Sequence, residues 1–435
     1  FSGLAKTYAV DTQVPDSAST MTAIISGVKT NKGLVGIDES VVRGDCGNQV
    51  GNEVVSALDL AELAGLSTGI VTTTRVTHAT PAATYAKSPD RDWEDPSEMP
   101  KQAIELGCVD IATQLIQYQA NINTRYAGAK SDGIEVVMGG GRRHFLPEKS
   151  SADTENTLKG NRPDGRNLIS EWKALYPKGL FLNNRADFDS ADFDRAQKIF
   201  GLFNKSHMRF DADRKTKKIK EPSLSEMTDK AIQVLAKNPK GFFLMVEAGR
   251  IDHAHHAGNA YNALSDTVEF SNAVEVALNK TSTEDTLIIV TADHGHVFTM
   301  AGYPKRGNPI LGKVISMGET KPKLALDNLP YTTLGYANGR GHRHLGLETN
   351  ADECYDGPIF AGRANLIGKD TTQSGFFQES LIPLQSETHS GEDVAIYASG
   401  PGAHLISGSN EQTIVFHAIN HAGGLLSRAS KALKN

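Results

Sequence analysis

Short apolar runs alternate with helical patterns along this chain, and that alternation constrains its fold more than any other feature. STGIV, GFFLMV, TLIIV and DVAIY are strand-length, whereas GNEVVSALDLAELAG and AYNALSDTVEFSNAVEVALN carry apolar residues at helical spacing. Strands that alternate with helices are typical of an α/β fold. We therefore predict a large, mostly parallel central sheet that is flanked by helices.

Polar side chains suited to chemistry accompany four of these apolar runs. Some follow a run and one lies just before a run. They are Glu247, Asp293, His294, His78, Thr80 and His389. Because ligands bind at the carboxyl ends of strands in such sheets, we expect these distant segments to converge on one crevice.

The segment VEAGRIDHAHHAGNAY is dense in residues that bind metals. Asp252 and His256 are four apart, so a helix would place both on one face. Together with His389 they would make a three-ligand set with one open position, as in catalytic zinc sites. Asp293 and His294 offer a second set of nitrogen and oxygen ligands. The alternative for a stretch rich in His and Asp is a solvated surface.

Two further residues offer only hard oxygen atoms. Thr80 and Glu247 suit Mg²⁺ rather than zinc, because Mg²⁺ prefers oxygen ligands. The sequence therefore indicates two zinc-type sets and one magnesium-type pair.

The motif VPDSAST supplies a candidate nucleophile. Ser17 opens a helical stretch, where backbone N–H groups and the positive end of the helix would face a bound anion. Helix N-capping is the alternative reading of such a Ser-Ala-Ser stretch. Arg91, in SPDRDWED, could bind two phosphate oxygens with its planar guanidinium, and Asp16 could orient it. The alternative for an arginine between two acids is an exposed surface residue without a role in binding.

Charge and hydropathy exclude several classes of partner. The chain has 45 basic and 51 acidic residues and a net charge of -6, without a cluster of basic and aromatic residues. We therefore expect no nucleic-acid partner. The longest apolar runs are strand-length, so we expect no transmembrane segment. No signal peptide is visible at Phe1.

Periodicity breaks down between residues 302 and 385, where glycine, proline and charged residues interrupt the pattern. We predict that 302–385 is an inserted accessory, crown-like region, and that 1–301 and 386–435 form the catalytic α/β domain. His342 and His344 could be ligands, but we expect them to be exposed loop residues.

Five stretches of the chain resemble the successive signatures of alkaline phosphatases, especially the animal-type branch. They are VPDSAST, VTHATPAATYAKSPDRDWE, GFFLMVEAGRIDHAHHAGNAYNAL, DTLIIVTADHGHVF and ETHSGEDVAIYASGPGAHLISG. The resemblance implies hydrolysis of phosphate monoesters by two in-line displacements through a phosphoserine.

The resemblance also implies a role for each candidate residue. Ser17 would be the nucleophile, and Arg91 would hold the phosphate. Two zinc ions and one magnesium ion would be bound, and His78 and His253 would lie near the metals and take part in substrate binding. The metal ligands so implied are Asp252, His256 and His389 for the first zinc, Asp293 and His294 for the second, and Thr80 with Glu247 for magnesium.

The resemblance implies four further properties. Cys46 and Cys108 would form a disulfide in a periplasmic or secreted protein, and the chain would form a homodimer with 302–385 near its interface. A structural calcium stays open, because Asn204 stands where an acid is expected and only Glu221 is well placed. The family also has an upstream aspartate that bridges the second zinc and magnesium. Only sixteen residues precede Ser17, so we expect the functional protein to carry an upstream segment with this ligand.

Two rival functions stay open. A phosphodiesterase, sulfatase or metal-dependent mutase could use the same pair of metals, although the Cys-x-Pro-x-Arg motif of sulfatases is absent around Ser17. A non-catalytic zinc-binding or phosphate-binding protein is the second rival. Ser17 together with Arg91 argues against it, because metal storage needs neither residue.

Overall fold

The structure is a computed structural model that describes residues 1–148, 160–340 and 365–434. His342 and His344, which we expect to be exposed loop residues, lie outside these described ranges.

Fourteen strands are present in the described residues. They are β1 (Ser2–Lys6), β2 (Ser67–Arg75), β3 (Val136–Gly140), β4 (Leu180–Leu182), β5 (Ile199–Leu202), β6 (Phe242–Glu247), β7 (Ile288–Thr291), β8 (Gly295–His296), β9 (Phe298–Met300), β10 (Leu334–Gly339), β11 (Ser380–Pro383), β12 (His389–Ser390), β13 (Val394–Ser399) and β14 (Gly408–Glu411).

The same part of the chain contains fourteen α-helices. They are α1 (Ser17–Ser26), α2 (Ala57–Leu63), α3 (Ala79–Tyr85), α4 (Lys101–Glu105), α5 (Ile111–Ile116), α6 (Tyr118–Arg125), α7 (Leu168–Leu175), α8 (Arg185–Ser190), α9 (Asp211–Thr216), α10 (Leu224–Leu235), α11 (Arg250–His256), α12 (Ala260–Lys280), α13 (Ile414–Gly423) and α14 (Leu425–Leu433).

A five-stranded parallel sheet forms the centre of the fold, in the order β4-β5-β3-β2-β6. Ile70 and Val71 on β2 are fully buried, because helices such as α2 and α10 pack on this sheet. Burial on both faces explains why these strands read as continuous apolar runs. The prediction of a mostly parallel sheet flanked by helices is confirmed.

A second, mixed sheet has the order β14-β1-β13-β7. Strand β13 runs antiparallel to β7, so the residues before β13 lie at the same edge as the residues after β7. Strand β12 accordingly pairs with β8, which places His389 opposite His296. His389 therefore enters the crevice from the amino end of β13.

A third sheet includes residues of the predicted accessory region. Strands β11, β10 and β9 pair in that order, and β10 and β11 lie within the described part of 302–385. Strand β9 ends just before residue 302, so this sheet is built from both sides of the proposed boundary. That boundary stays a prediction.

A disulfide joins Cys46 to Cys108, with 5.9 Å between the two Cα atoms. This prediction is confirmed. No helix of the described residues has both the length and the apolar composition to cross a membrane.

Candidate active site

Helix α1 begins at Ser17, and Asp16 caps its amino end. The Asp16 carboxylate accepts hydrogen bonds from the backbone N–H groups of Ser19 and Gly33, both at 3.1 Å. Ser17 is only 5% exposed, and its Oγ atom lies 3.1 Å from Nε2 of His294. The serine hydroxyl is thus held at the positive end of a helix, where an anion is favoured.

Ser17, Asp293 and His294 form what we call the Ser17 cluster. Nε2 of His294 lies 3.3 Å from Oδ2 of Asp293, and Thr20 donates a hydrogen bond to the same oxygen. Nδ1 of His294 contacts the carbonyl of Gly295, so that nitrogen carries the proton. Burial lowers the pKa of His294 to about 4, although the negative charge of Asp293 acts to raise it. The lone pair on Nε2 therefore faces Ser17 and Asp293.

Arg91 is held from two sides. Its Nη1 atom donates to Oδ2 of Asp16 at 2.8 Å, and its Nη2 atom lies 3.3 Å from Nε2 of His78. Burial alone would raise the pKa of the Asp16 carboxyl. The nearby charge and hydrogen bond of Arg91, together with the hydrogen bonds from Ser19, have the larger combined effect and hold that pKa well below its usual range. This fixed guanidinium lies beside the amino end of α1, so both can contact one phosphate group.

Asp252, His256, His296 and His389 form a second group, the Asp252 cluster. Oδ1 of Asp252 lies 3.3 Å from Nε2 of both His256 and His389 and 3.0 Å from Nε2 of His296. The Nε2 atoms of His256 and His389 are only 3.0 Å apart. The rings of His389 and His294 stack at 3.6 Å between centroids, so this cluster adjoins the Ser17 cluster.

Hydrogen bonds fix the orientation of two of these rings. Nδ1 of His256 lies 2.7 Å from the carbonyl of Glu387, and Nδ1 of His389 lies 2.7 Å from the carbonyl of Pro15. A carbonyl only accepts, so each Nδ1 atom must donate, which leaves Nε2 of each ring to face Asp252. Two imidazole nitrogens and a carboxylate oxygen that converge in this way form a ligand set that suits zinc. The residues therefore fit a divalent metal ion.

His296 belongs to this cluster, although the motif analysis does not assign it. Its Nδ1 atom lies 2.8 Å from the Glu387 carboxylate, and its Nε2 atom contacts Asp252. Burial opposes a charge on His296, but the two carboxylates outweigh it and raise its pKa to about 10. The sequence signal that could identify His296 is its spacing from His294. The two histidines are two residues apart, and residues at that spacing share one face of an extended segment.

Glu247 lies in a different environment, among the hydroxyls of Thr72, Thr74 and Thr80, which we call the Glu247 cluster. Thr72 and Thr74 donate to Oε2 of Glu247, Thr74 at 3.0 Å. Burial raises the pKa of Glu247 to about 7, although hydrogen bonds from the three threonines oppose the shift. Every candidate ligand atom here is oxygen, which fits Mg²⁺.

The sequence contains a signal for the two further threonines. Thr72 and Thr74 alternate on β2, and Thr72 lies directly opposite Glu247 on β6. Polar residues at a spacing of two in a buried strand share one face. Of these three threonines, only Thr80 is among the ligands predicted from the motifs.

His78 and His253 come together with a third histidine, His207, which no motif singles out. The ligand-type nitrogens of the three rings lie within 4.8 Å of one another. Burial, followed by the charges of Arg91 and Arg75, lowers the pKa of His78 to about 3. We call this group the His207 triad.

The structure brings all eleven candidate residues to one edge of the fold. They are Ser17, His78, Thr80, Arg91, Glu247, Asp252, His253, His256, Asp293, His294 and His389. Four groups result: two are rich in nitrogen and carboxylate ligands, one is made of oxygen, and one is the His207 triad.

Comparison with known proteins agrees with this chemistry. The alkaline phosphatase family model matches residues 1–425. The tissue-nonspecific isozyme of alkaline phosphatase from Homo sapiens is 43% identical over 428 residues, which cover 97% of this chain and 75% of the human protein. An alkaline phosphatase from Gadus morhua is 42% identical over 97% of this chain and 82% of its own length.

Solved structures show the same fold at lower identity. An alkaline phosphatase from Thermus thermophilus has a TM-score of 0.64 and 22% identity, and the match covers 100% of this chain and 86% of that one. Since the family match extends over almost the whole chain, this protein belongs to the alkaline phosphatase family, whose members use divalent metal ions to hydrolyse phosphate monoesters through a phosphoserine intermediate.

Proposed function

We propose that Ser17 is the nucleophile of this phosphate monoester hydrolase and that Arg91 binds the phosphate. One observation carries the proposal: the Ser17 hydroxyl lies at the amino end of α1 and 3.1 Å from His294, within a cluster of metal-type ligands. Helix capping does not account for this position, because Asp16 already caps α1.

The chain's own residues provide binding and orientation. Arg91 presents two N–H groups, and the first backbone N–H groups of α1 add favourable charge for the phosphate oxygens. The Ser17 oxygen forms a bond to phosphorus while the bond to the leaving alcohol oxygen breaks. Water then attacks the phosphoserine from the side opposite Ser17, which releases inorganic phosphate and restores the serine. Loose transition states of this type require mainly position and charge neutralisation.

We assign zinc to the Asp252 cluster, through Asp252, His256 and His389, and to the Ser17 cluster, through Asp293 and His294. Their mixed nitrogen and carboxylate ligands are those that zinc prefers. Thr80 and Glu247 would hold magnesium. When bound, these ions supply positive charge that lowers the pKa of a coordinated hydroxyl and neutralises developing negative charge.

Trapping the phosphoserine tests the nucleophile. The wild-type enzyme is incubated with [³²P]phosphate at acidic pH, quenched and digested, and the labelled peptide is identified by mass spectrometry. The label is expected on Ser17 and should be absent from Ser17→Ala. Label on another residue, or equal turnover of the mutant, contradicts the proposal.

A rate comparison separates monoester from diester hydrolysis. The kcat/KM for p-nitrophenyl phosphate should exceed that for bis(p-nitrophenyl) phosphate, because Arg91 and α1 together favour a phosphate with several free oxygens. A higher value for the diester would favour the phosphodiesterase alternative.

Metal replacement tests the assigned ions. Chelation should abolish activity, and zinc plus magnesium should restore it better than either ion alone. Restoration by calcium alone would contradict the ligand chemistry described above.

We also propose that the chain forms a homodimer through the accessory region. Large apolar side chains are exposed on and beside the β9-β10-β11 sheet, including Met300 at 72%, Tyr303 at 84% and Leu381 at 82%. Exposed apolar patches of this kind mark interaction surfaces. Light scattering at twice the mass of the chain is expected, and the monomer mass would contradict the proposal.

The disulfide supports a periplasmic or secreted location. Cys46–Cys108 closes a loop of 62 residues, and such bonds persist in oxidising compartments. Detection of this disulfide in protein purified from its native compartment would support the assignment, whereas two free thiols would contradict it.

A further inference from the structure

His207 lies between β5 and α9, far in sequence from the other two histidines of the His207 triad. Its ring centroid is 4.1 Å from that of His253 and 5.3 Å from that of His78. His207 is 5% exposed and His253 is 9% exposed, so the rings pack against each other with little access to water.

Backbone contacts fix the segment that carries His207. The Gly141 N–H donates to the carbonyl of Ser206 at 2.8 Å, and the Met208 N–H donates to the carbonyl of Thr73 at 3.0 Å. A Cβ atom on Gly140 would lie 2.1 Å from that Ser206 oxygen, so only glycine permits this approach. The segment is thereby attached to the ends of β2 and β3.

Both nitrogens of His207 and Nε2 of His78 already contact arginines, which argues against a metal ion among the three rings. The Arg75 backbone N–H donates to Nδ1 of His207, and the Arg75 guanidinium contacts Nε2 of the same ring. Nε2 of His78 lies against Arg91. A dication in the triad would be repelled by the guanidinium charges of both Arg75 and Arg91.

The triad is instead connected to the phosphate-binding arginine through His78. Nε2 of His78 contacts Arg91, whereas Nδ1 of His78 is buried and has no hydrogen-bond partner among the described residues. A hydrogen bond on only one nitrogen leaves the ring free to tilt about that contact. Packing against His207 and His253 supplies the missing restraint.

We propose that His207 is a positioning residue for phosphate binding: its ring holds His78 in the orientation that fixes the guanidinium of Arg91. Asp16 holds one side of that guanidinium, and His78, supported by His207, holds the other. This inference rests on the proposed role of Arg91. It assigns His207 a function in phosphate affinity that acts through His78.

The test is competitive inhibition by inorganic phosphate, with zinc and magnesium present at saturation. His207→Ala should raise the inhibition constant of phosphate and the KM of p-nitrophenyl phosphate by ~3- to 10-fold, as expected for loss of an aromatic pair, with a smaller change in kcat. His207→Phe keeps an aromatic ring. On a logarithmic scale, its phosphate inhibition constant and KM should therefore lie at least halfway back from the His207→Ala values to the wild-type values. His417→Ala, an exposed histidine on α13, is the matched control.

A double-mutant cycle separates positioning from a general structural effect. In an Arg91→Ala background, His207→Ala should not raise the inhibition constant further, because the residue being positioned is absent. An equal increase in both backgrounds overturns the proposal, as does an unchanged constant in the single His207→Ala mutant. If Arg91→Ala itself leaves phosphate inhibition unchanged, the proposed role of Arg91 fails and this inference fails with it.

Metal analysis by mass spectrometry completes the test. Zinc and magnesium contents of His207→Ala should equal those of the wild type. Loss of one metal ion per chain would show that the triad binds a metal and would overturn the positioning role.

Discussion

Glu247 and Asp252 lie close together in sequence, but the clusters around them offer different ligand atoms. In the Asp252 cluster, the Nε2 atoms of His256 and His389 lie 3.3 Å from one carboxylate oxygen and 3.0 Å from each other. In the Glu247 cluster, threonine hydroxyls donate to the carboxylate. The protein therefore orients both sets of side chains, but the first cluster offers nitrogen and carboxylate ligands whereas the second offers only oxygen.

Local structure explains this difference. Glu247 ends β6, and the neighbouring strand β2 places Thr72 directly opposite it. Asp252 lies one turn below His256 on α11, and His389 comes from another sheet. Nitrogen ligands thus come from a helix and a distant strand pair, while the oxygen atoms come from the adjacent strands β2 and β6 and from Thr80 on α3.

The largest expected effect comes from removing a ligand of the Asp252 cluster. His389→Ala should lower kcat/KM by at least about 1,000-fold, because loss of one ligand of a three-ligand site removes the bound charge needed in the transition state. Zinc per chain should fall by about one ion. His417→Ala serves as the control. An unchanged zinc content in His389→Ala would contradict the assignment of zinc to the Asp252 cluster.

A smaller effect is expected at the Glu247 cluster. Glu247→Gln should lower activity by about 10- to 100-fold and weaken magnesium binding, because the threonines still position the side chain while its charge is lost. Glu284→Gln changes an exposed glutamate and is the matched control. Loss of zinc rather than magnesium in Glu247→Gln would show that the two clusters are not chemically distinct.

The smallest expected change tests how the Glu247 cluster is packed. A Cβ atom at Gly249 would lie 2.2 Å from Cγ2 of Thr74 and 2.7 Å from Oε1 of Glu247. Gly249→Ala should therefore lower the free energy of unfolding in the presence of chelator by about 1–3 kcal/mol, the cost of overpacking a buried site.

Urea unfolding measures this change, and Gly335→Ala, whose added Cβ would meet no atom closer than 3.4 Å, provides the control. An unchanged free energy of unfolding for Gly249→Ala would show that the Glu247 cluster is not rigidly packed before metal binds.

Sequence reasoning predicts most of the candidate site, because Asp252 and His256 share a helix face and the other ligands accompany apolar strands. It does not predict that β13 runs antiparallel to β7, since pairing direction depends on contacts between segments about a hundred residues apart. His207 has no sequence signal at all. It reaches the site because backbone hydrogen bonds and Gly140 hold an irregular segment against β2 and β3.

The predicted accessory region shows a second limit of prediction from the sequence. The loss of periodicity after residue 302 predicts where regular helices and strands become scarce, and the described part contains only short strands there. Periodicity cannot predict that β10 pairs with β9, because a three-residue strand such as Phe298–Met300 is too short to show alternation.

Diffraction at the zinc absorption edge tests the central difference between the two clusters most directly. Crystals grown with zinc and magnesium would be measured on both sides of the edge, and anomalous maps would locate zinc. We predict one zinc peak among Asp252, His256 and His389, a second beside Asp293 and His294, and none between Thr80 and Glu247. A zinc peak in the Glu247 cluster, or its absence from the Asp252 cluster, would contradict this account.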